Sequence, residues 1–101
     1  MQKTGYVYIV TNAHHTVLYT GMTSTLLSRI YKHKTHFYKR SFSARYNIEY
    51  LVYYEVFGSI TDAIAWEKVV KKLNRDKKIA LINSMNPEWK DLYDEMNKMQ
   101  A

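Results

Sequence analysis

The 101-residue chain contains no cysteine and no apolar run of about 18 residues, which excludes disulfides, thiolate chemistry and a membrane-spanning helix. A hydrophobic content of 47% is typical of a globular protein, and we predict one domain over residues 1–101. The N-terminus lacks an apolar signal segment, so we expect a cytoplasmic protein.

The formal net charge of +6 is distributed unevenly along the chain. Residues 1–48 contain seven Lys or Arg and no Asp or Glu, whereas residues 49–101 contain eight basic and nine acidic residues. A one-sided basic surface attracts polyanions, which makes DNA or RNA the leading candidate partner. Charge alone fits a merely soluble basic surface equally well.

Two short runs rich in β-branched and aromatic residues, Tyr6–Thr11 and Thr16–Gly21, predict a β-hairpin. Residues 12–15, Asn-Ala-His-His, lie between them as a plausible turn. A turn centred between Ala13 and His14 would place Tyr8 directly opposite Tyr19.

The two faces of this hairpin differ in character. Val7, Ile9 and Leu18 form an apolar set on one face, which is suited to a core. The other face presents phenols, with Tyr6 expected opposite Gly21. Because glycine has no side chain, we expect room there for a ligand to approach the backbone.

A helix is predicted directly after the hairpin, with Thr23 or Ser24 as its N-cap. Leu26, Leu27 and Ile30 follow at the spacing of a buried face. The polar face has a cationic stripe at helical spacing. Its members are Arg29, Lys32, His33 and His36.

Residues 35–46 interleave basic residues with aromatic ones. This mixture suits phosphate contact combined with stacking on bases or sugars. A connecting loop whose aromatic residues hold it to the core is the structural alternative. The basic members are Lys39, Arg40 and Arg45.

Asn47–Phe57 is the strongest strand pattern, with apolar residues on both faces. A strand that is apolar on both faces is usually central in a sheet. Placed beside the hairpin, it gives an α+β fold with a small three-stranded, mostly antiparallel sheet flanked by helices. One face would be lined by Ile48, Tyr50, Val52, Tyr54 and Val56.

Three more helices are predicted in the second half. The first covers Ile60–Asn74 and begins with Ser59 and Asp62 in a capping-box-like pattern. The second covers Lys77–Met85, after a break at Arg75. The inward residues of the first helix would be Ile60, Ala63, Ile64, Val70 and Leu73.

The last helix is predicted to open with Asn86 as N-cap and Pro87 at its first position. It would present Trp89, Leu92, Tyr93 and Met96 on one side. This apolar side either packs on the domain or contacts another protein.

The order of two tyrosines, a glycine, a helical arginine and a later helical glutamate resembles the GIY-YIG nuclease family, roughly from Gly5 to Tyr93. The first half-motif is Tyr6-Val7-Tyr8 and the second is Tyr19-Thr20-Gly21. The chain resembles small stand-alone bacterial members related to the amino-terminal nuclease domain of the excision-repair incision enzyme. The resemblance implies a metal-dependent endonuclease that hydrolyses phosphodiester bonds in DNA, in the setting of DNA repair.

The resemblance also implies residue roles. Tyr19 would help to activate the attacking water, as a general base or within a proton relay, and Tyr8 would orient the water or phosphate. Arg29 would lower the pKa of the Tyr19 phenol and bind the phosphate. His33 would contact phosphate or transfer protons, and Glu67 would bind Mg²⁺ or Mn²⁺.

Each of these residues has a structural alternative. The two tyrosines can form a cross-strand aromatic pair that merely stabilises the hairpin. Glu67 can form an ordinary ion pair with Lys71 at i,i+4 spacing. His33 can be a solvated helix residue. The predicted nucleic-acid contacts around the site are Gly21, Lys32, His36, Lys39, Arg40 and Arg45.

Two positions depart from the family pattern. Met22 follows the second half-motif, where many members have Lys. Lys90 occupies the place of an active-site Asn in the excision-repair relatives, and Asn86 is the candidate substitute. These departures motivate an alternative, a nucleic-acid-binding module without activity. A protein-interaction domain is a further alternative, and a partner protein could supply targeting.

Overall fold

The computed structural model describes residues 4–35 and 48–99, which form three strands and four helices. β1 (Gly5–Thr11), β2 (Leu18–Thr23) and β3 (Tyr50–Phe57) pair in the order β2-β1-β3, and both pairings are antiparallel. The predicted α+β fold with a small three-stranded sheet is confirmed. The helices are α1 (Leu26–Lys34), α2 (Ile60–Lys72), α3 (Arg75–Met85) and α4 (Leu92–Met99).

Part of the predicted basic surface falls in residues 36–47, outside the described residues. No helix in the described ranges is long and apolar enough to cross a lipid bilayer. The predicted nucleic-acid contacts that lie outside the described residues are His36, Lys39, Arg40 and Arg45.

The hairpin register differs from the prediction by two residues. Tyr8 lies opposite Gly21, and it is Val10 that lies opposite Tyr19. The prediction that the two tyrosines face each other directly was therefore wrong. A shift of two residues leaves every side chain on its predicted face, so the assignment of faces was correct.

A longer loop causes this shift, because β1 and β2 are joined by residues 12–17 rather than by the predicted residues 12–15. The side-chain oxygen of Asn12 accepts hydrogen bonds from the backbone N–H groups of Thr16 (2.8 Å) and Val17 (3.1 Å). His15 adopts a positive φ of 57° within the loop. The backbone N–H of His15 also donates to the backbone oxygen of Asn12 at 3.0 Å, so the predicted turn at residues 12–15 is present and the Asn12 side chain extends the loop beyond it.

β3 lies beside the hairpin, as predicted, and forms one edge of the described sheet, although its apolar pattern is typical of a central strand. It is apolar on both faces because helices cover both sides of the sheet. The pairing with β1 skips Val52, while its neighbours Leu51 and Tyr53 pair with consecutive residues of β1. This bulge turns Val52 to the face opposite Ile48 and Tyr54, which breaks the predicted alternation.

We call the side of the sheet covered by α2 and α3 side A. Val7 and Ile9 are fully buried there, with Leu18 packed against them, as predicted. Ile64 was expected to point inward, but it is 36% exposed because its position on α2 turns away from the sheet. The buried members of side A are Val7, Ile9, Val52, Tyr53, Ala63, Val70 and Ile82.

The opposite side, covered by α1 and α4, is called side B. Leu26 and Ile30 of α1 are buried there as predicted, and Leu27 is half-buried. Tyr93 and Met96 of α4 pack against the same cluster, so the last helix packs on its own domain. The buried members of side B are Tyr8, Val10, Leu26, Ile30, Ile48, Leu51 and Leu92.

The predicted start of α2 is confirmed, because Ser59 is its N-cap and accepts a hydrogen bond from the backbone N–H of Asp62 at 3.2 Å. The helix ends two residues earlier than predicted. Asn74 is the N-cap of α3 and accepts from the N–H of Lys77 at 2.9 Å. Arg75 therefore begins a helix rather than breaking one.

Asn86 does not open the last helix, which begins at Leu92. Its buried amide donates to the backbone oxygens of Val52 (3.1 Å) and Lys90 (2.8 Å), and its side-chain oxygen accepts from the N–H of Lys90 (3.0 Å). These bonds fold residues 86–90 into a turn. Trp89 accordingly lies in that turn, with a φ of 54°, and not on a helix.

Candidate active site

Two phenols and an imidazole meet on side B of the sheet. Tyr8 comes from β1, Tyr19 from β2 and His33 from α1. The Tyr8 hydroxyl lies 3.2 Å from Nε2 of His33, and each tyrosine ring has its centroid 5.8 Å from that of His33. The two phenols thus both contact the imidazole of His33. The sequence did not predict this contact.

Gly21 makes room for the Tyr8 phenol. A Cβ atom added at Gly21 would lie 2.4 Å from the Tyr8 hydroxyl oxygen and 2.5 Å from Cζ. The space that was expected to admit a ligand is therefore filled by Tyr8. The second half-motif needs its glycine because the first half-motif places a tyrosine ring directly across the strand pair.

We expect Gly21→Ala to lower the free energy of unfolding by about 1–3 kcal/mol, because the Tyr8 ring must leave its position to avoid the new methyl group. Gly58→Ala is the matched control, since no atom lies within 4 Å of a Cβ there. Its effect should stay within about 0.5 kcal/mol. Urea unfolding of both variants tests this, and equal stabilities would contradict the packing of Tyr8 over Gly21.

His33 is neutral at pH 7. Burial lowers its pKa to about 4, and the nearby positive charge of Arg29 acts in the same direction. Its Nδ1 atom is buried without a hydrogen-bond partner among the described residues. His33 therefore does not contribute positive charge to the predicted cationic stripe, and it acts as a neutral hydrogen-bonding group.

Tyr8 stays protonated at neutral pH. Burial raises the pKa of its phenol well above the ordinary value, and the nearby Tyr19 and Glu67 raise it further, while Arg29 lowers it. All three side chains therefore lie near one phenol. A buried, protonated hydroxyl suits Tyr8 to orienting its neighbours, rather than to abstracting a proton.

Arg29 and Lys32 both lie on α1. Arg29 is exposed, and its charge affects the pKa values of both Tyr8 and His33, so it borders the site from the solvent side. Lys32 is half-buried on the same helix. A guanidinium in this position can form two parallel hydrogen bonds to a phosphate group.

Glu67 reaches the site from α2. Its side chain is 19% exposed, at the edge of the buried face of the helix. The ion pair with Lys71, which was the structural alternative, is present with an N–O distance of 3.5 Å and a side chain of Lys71 that is 53% exposed. Exposed i,i+4 pairs contribute only about 0.3–0.5 kcal/mol, so this pair leaves the carboxylate available to a cation.

The donor set around Glu67 fits Mg²⁺ or Mn²⁺. In residues 4–35 and 48–99, no group of three or more His, Cys, Asp or Glu side chains is placed to hold a metal ion. Mg²⁺ retains several waters and takes phosphate oxygens as ligands, so it needs only one or two carboxylates from the protein. The one half-buried carboxylate of Glu67 would meet that requirement.

Asp91 is a supporting residue that the sequence interpretation missed. Its carboxylate pairs with Lys34 at the end of α1 and accepts from the backbone N–H groups of Leu51 and Tyr93, each at 3.1 Å. Lys34 also donates to the backbone oxygen of Glu49 at 2.7 Å. Asp91 thus fixes the helix that presents Arg29 and His33; an Asp one residue before a helix is the signal that could have revealed it.

The positions that depart from the family pattern have structural explanations. Met22 packs against the apolar cluster on side A, away from the phenols. Asn86 uses its amide for the bonds of its own turn, so it is not the substitute for the missing Asn. Lys90 is exposed and pairs with Glu88 at 3.0 Å.

Comparisons with known proteins agree with the fold and with the family resemblance. A family model described as the GIY-YIG catalytic domain matches residues 4–80. A UPF0213 protein of Clostridium perfringens is 34% identical over 92 residues, covering 91% of this chain and 97% of that protein. A UPF0213 protein of Syntrophus aciditrophicus is 32% identical over 83 residues, covering 82% and 93%.

A solved structure is also similar. The solution NMR structure of a UPF0213 protein from Bacillus halodurans matches with a TM-score of 0.56 and 31% sequence identity. The match covers 87% of this chain and 92% of that one. It therefore includes strands and helices from both halves of the fold.

Proposed function

The chain belongs to the GIY-YIG family, and on that premise we propose that it acts as a single catalytic domain, a metal-dependent endonuclease that hydrolyses phosphodiester bonds in DNA. The main support is the convergence of four side chains. Tyr8 and Tyr19, from two different strands, both pack against the ring of His33. Arg29 and Glu67, from two different helices, lie close enough to Tyr8 to affect the pKa of its phenol.

Tyr19 is the proposed proton acceptor for the attacking water. A phenol is a weak base near neutrality, so it needs a cation beside it or a group that takes up the proton. Arg29 supplies the positive charge, and the neutral imidazole of His33, whose ring centroid lies 5.8 Å from that of Tyr19, helps to position the two phenols. Tyr8 holds His33 through the bond to Nε2.

Arg29 is proposed to bind the scissile phosphate from the solvent side and to stabilise the negative charge of the transition state. Glu67 would hold Mg²⁺ or Mn²⁺, which supplies positive charge to the phosphate and leaving oxygen when it is bound. Gly21 supports this arrangement indirectly by admitting the Tyr8 ring. Lys32, on the same helix as Arg29, is proposed to contact the backbone of the DNA.

The test is a cleavage assay with purified protein and either Mg²⁺ or Mn²⁺. Supercoiled, single-stranded, flap and forked DNA should be compared, because the domain offers no evident module for reading base sequence. We expect nicking of at least one substrate, abolished by a chelator. Intact DNA across all substrates at high enzyme concentration would contradict the proposal.

A DNA-binding module without activity is the second candidate, and Met22 is the observation that favours it. Because Met22 packs in the apolar cluster of side A, a cation found in many family members is missing here. This candidate predicts salt-sensitive DNA retention without cleavage. A metal-dependent nick that requires Tyr19 would reject it.

A further inference from the structure

A second basic surface lies where α2 ends and α3 begins. Residues 67–78 contain six Lys or Arg and two Asp or Glu, although residues 49–101 together have a slight acidic excess. Five of the six cationic side chains are exposed and one is half-buried. We call this surface the α2–α3 corner, and its members are Lys68, Lys71, Lys72, Arg75, Lys77 and Lys78.

The positive charge of this corner is largely uncompensated. Within the described ranges, Lys71 is its one member in an ion pair, with Glu67. Arg75 donates to the backbone oxygens of His15 and Thr16, and these carbonyl groups leave its charge in place. Exposed, uncompensated positive charge on adjacent turns attracts a polyanion.

The corner adjoins Glu67, the α2 residue of the candidate active site, because its member Lys71 pairs with Glu67 at 3.5 Å. The start of α2 packs at the start of β1, where a Cβ on Gly5 would lie 2.6 Å from that of Ala63. Arg75 contacts the loop that follows β1. α2 therefore runs alongside β1 from its first residue to the β1–β2 loop, and the corner begins at Glu67, with Lys71 one turn further on.

We propose that the α2–α3 corner binds the phosphate backbone of duplex DNA beside the scissile bond, and that the DNA path continues from Glu67 toward the β1–β2 loop. The inference rests on the proposed endonuclease function. Lys72 lies about 7 Å beyond Glu67 along the helix axis. Phosphates of one strand recur about every 3.4 Å along the duplex axis, so the corner spans two or three of them.

Such contacts position the duplex and do not read its sequence. They would fix the position of one duplex segment of the substrate relative to Glu67. Surface lysines are sufficient for this, so the small domain needs no additional DNA-binding module. The sequence concealed the corner because averaging over residues 49–101 cancels its charge against acidic residues elsewhere.

The test compares Lys68→Gln/Lys72→Gln with a matched control, Lys90→Gln. Lys90 is exposed but pairs with Glu88 at 3.0 Å and is also influenced by Glu95, so its surroundings are acidic. Fluorescence anisotropy on a short duplex, with a chelator present and at several salt concentrations, measures binding without cleavage. For each phosphate contact that is lost, we expect the slope of log binding constant against log salt concentration to become shallower by about 0.9. At 0.1 M salt, each lost contact should weaken the affinity for DNA roughly tenfold.

Cleavage of the same duplex separates this inference from the proposed function. The double variant should show a raised KM and an unchanged kcat, because the corner touches no reacting atom. An unchanged salt slope, or an equal loss in Lys90→Gln, would overturn the role of the corner even if the wild-type protein cuts DNA. Loss of binding in the double variant, with no cleavage by the wild-type protein, would support the corner and reject the endonuclease.

Discussion

Glu67→Gln is expected to lower the rate of DNA cleavage by roughly 10³-fold, equivalent to about 4 kcal/mol of transition-state stabilisation. The substitution keeps the size of the side chain and removes its negative charge, so a divalent cation loses its one protein carboxylate. The side chain lies at the edge of the buried face of α2, where an amide is accommodated without unfolding. Cleavage is measured at saturating DNA, and binding of Mn²⁺ is measured separately by electron paramagnetic resonance.

Lys71→Gln is the matched control for that prediction. It breaks the same ion pair but leaves the carboxylate of Glu67 in place. We expect its kcat to stay near that of the wild-type protein and its Mn²⁺ binding to be retained. If both substitutions reduce kcat equally, the ion pair and not the metal explains Glu67; if Glu67→Gln cuts normally, Glu67 has no catalytic role.

The core faces were predictable because they depend on alternation over short segments. Val7, Ile9, Leu26 and Ile30 fall where periodicity places them. Alternation fails in β3 at Val52, where a bulge inserts a residue that no sequence pattern marks.

The hairpin register was not predictable from turn preferences. A tight turn is present at residues 12–15, but the side chain of Asn12 also binds the N–H groups of Thr16 and Val17, so strand pairing resumes only at Leu18. The consequence for the site is large, because the shift replaces a Tyr8–Tyr19 pair by a Tyr8–Gly21 pair. The glycine of the motif thereby acquires its steric explanation.

The candidate site residues were chosen from the sequence by their order and spacing, but their protonation states could be inferred only from the fold. His33 appears in the sequence as one member of a cationic stripe. Burial against the sheet, near Arg29, makes it neutral. Helical spacing alone does not show that the ring of His33 is buried. The sequence interpretation therefore overestimated the positive charge of α1.

Tyr19→Phe is expected to reduce kcat by about 10²–10⁴-fold, which is the range for loss of a positioned general base. Phenylalanine keeps the ring beside His33 and removes the hydroxyl, so the fold and the DNA affinity should be little changed. The effect is measured as single-turnover cleavage with enzyme in excess, which isolates the chemical step from product release.

Tyr8→Phe is the matched control for Tyr19→Phe, because it removes the other phenolic hydroxyl next to the same imidazole. In the wild-type protein the buried hydroxyl of Tyr8 bonds to Nε2 of His33. Removing it should lower the free energy of unfolding by about 1 kcal/mol. Because a phenol whose pKa is raised by burial remains protonated, Tyr8→Phe should reduce kcat much less than Tyr19→Phe. The reverse order of effects would assign proton transfer to Tyr8, and equal losses would indicate that the two phenols act as one relay through His33.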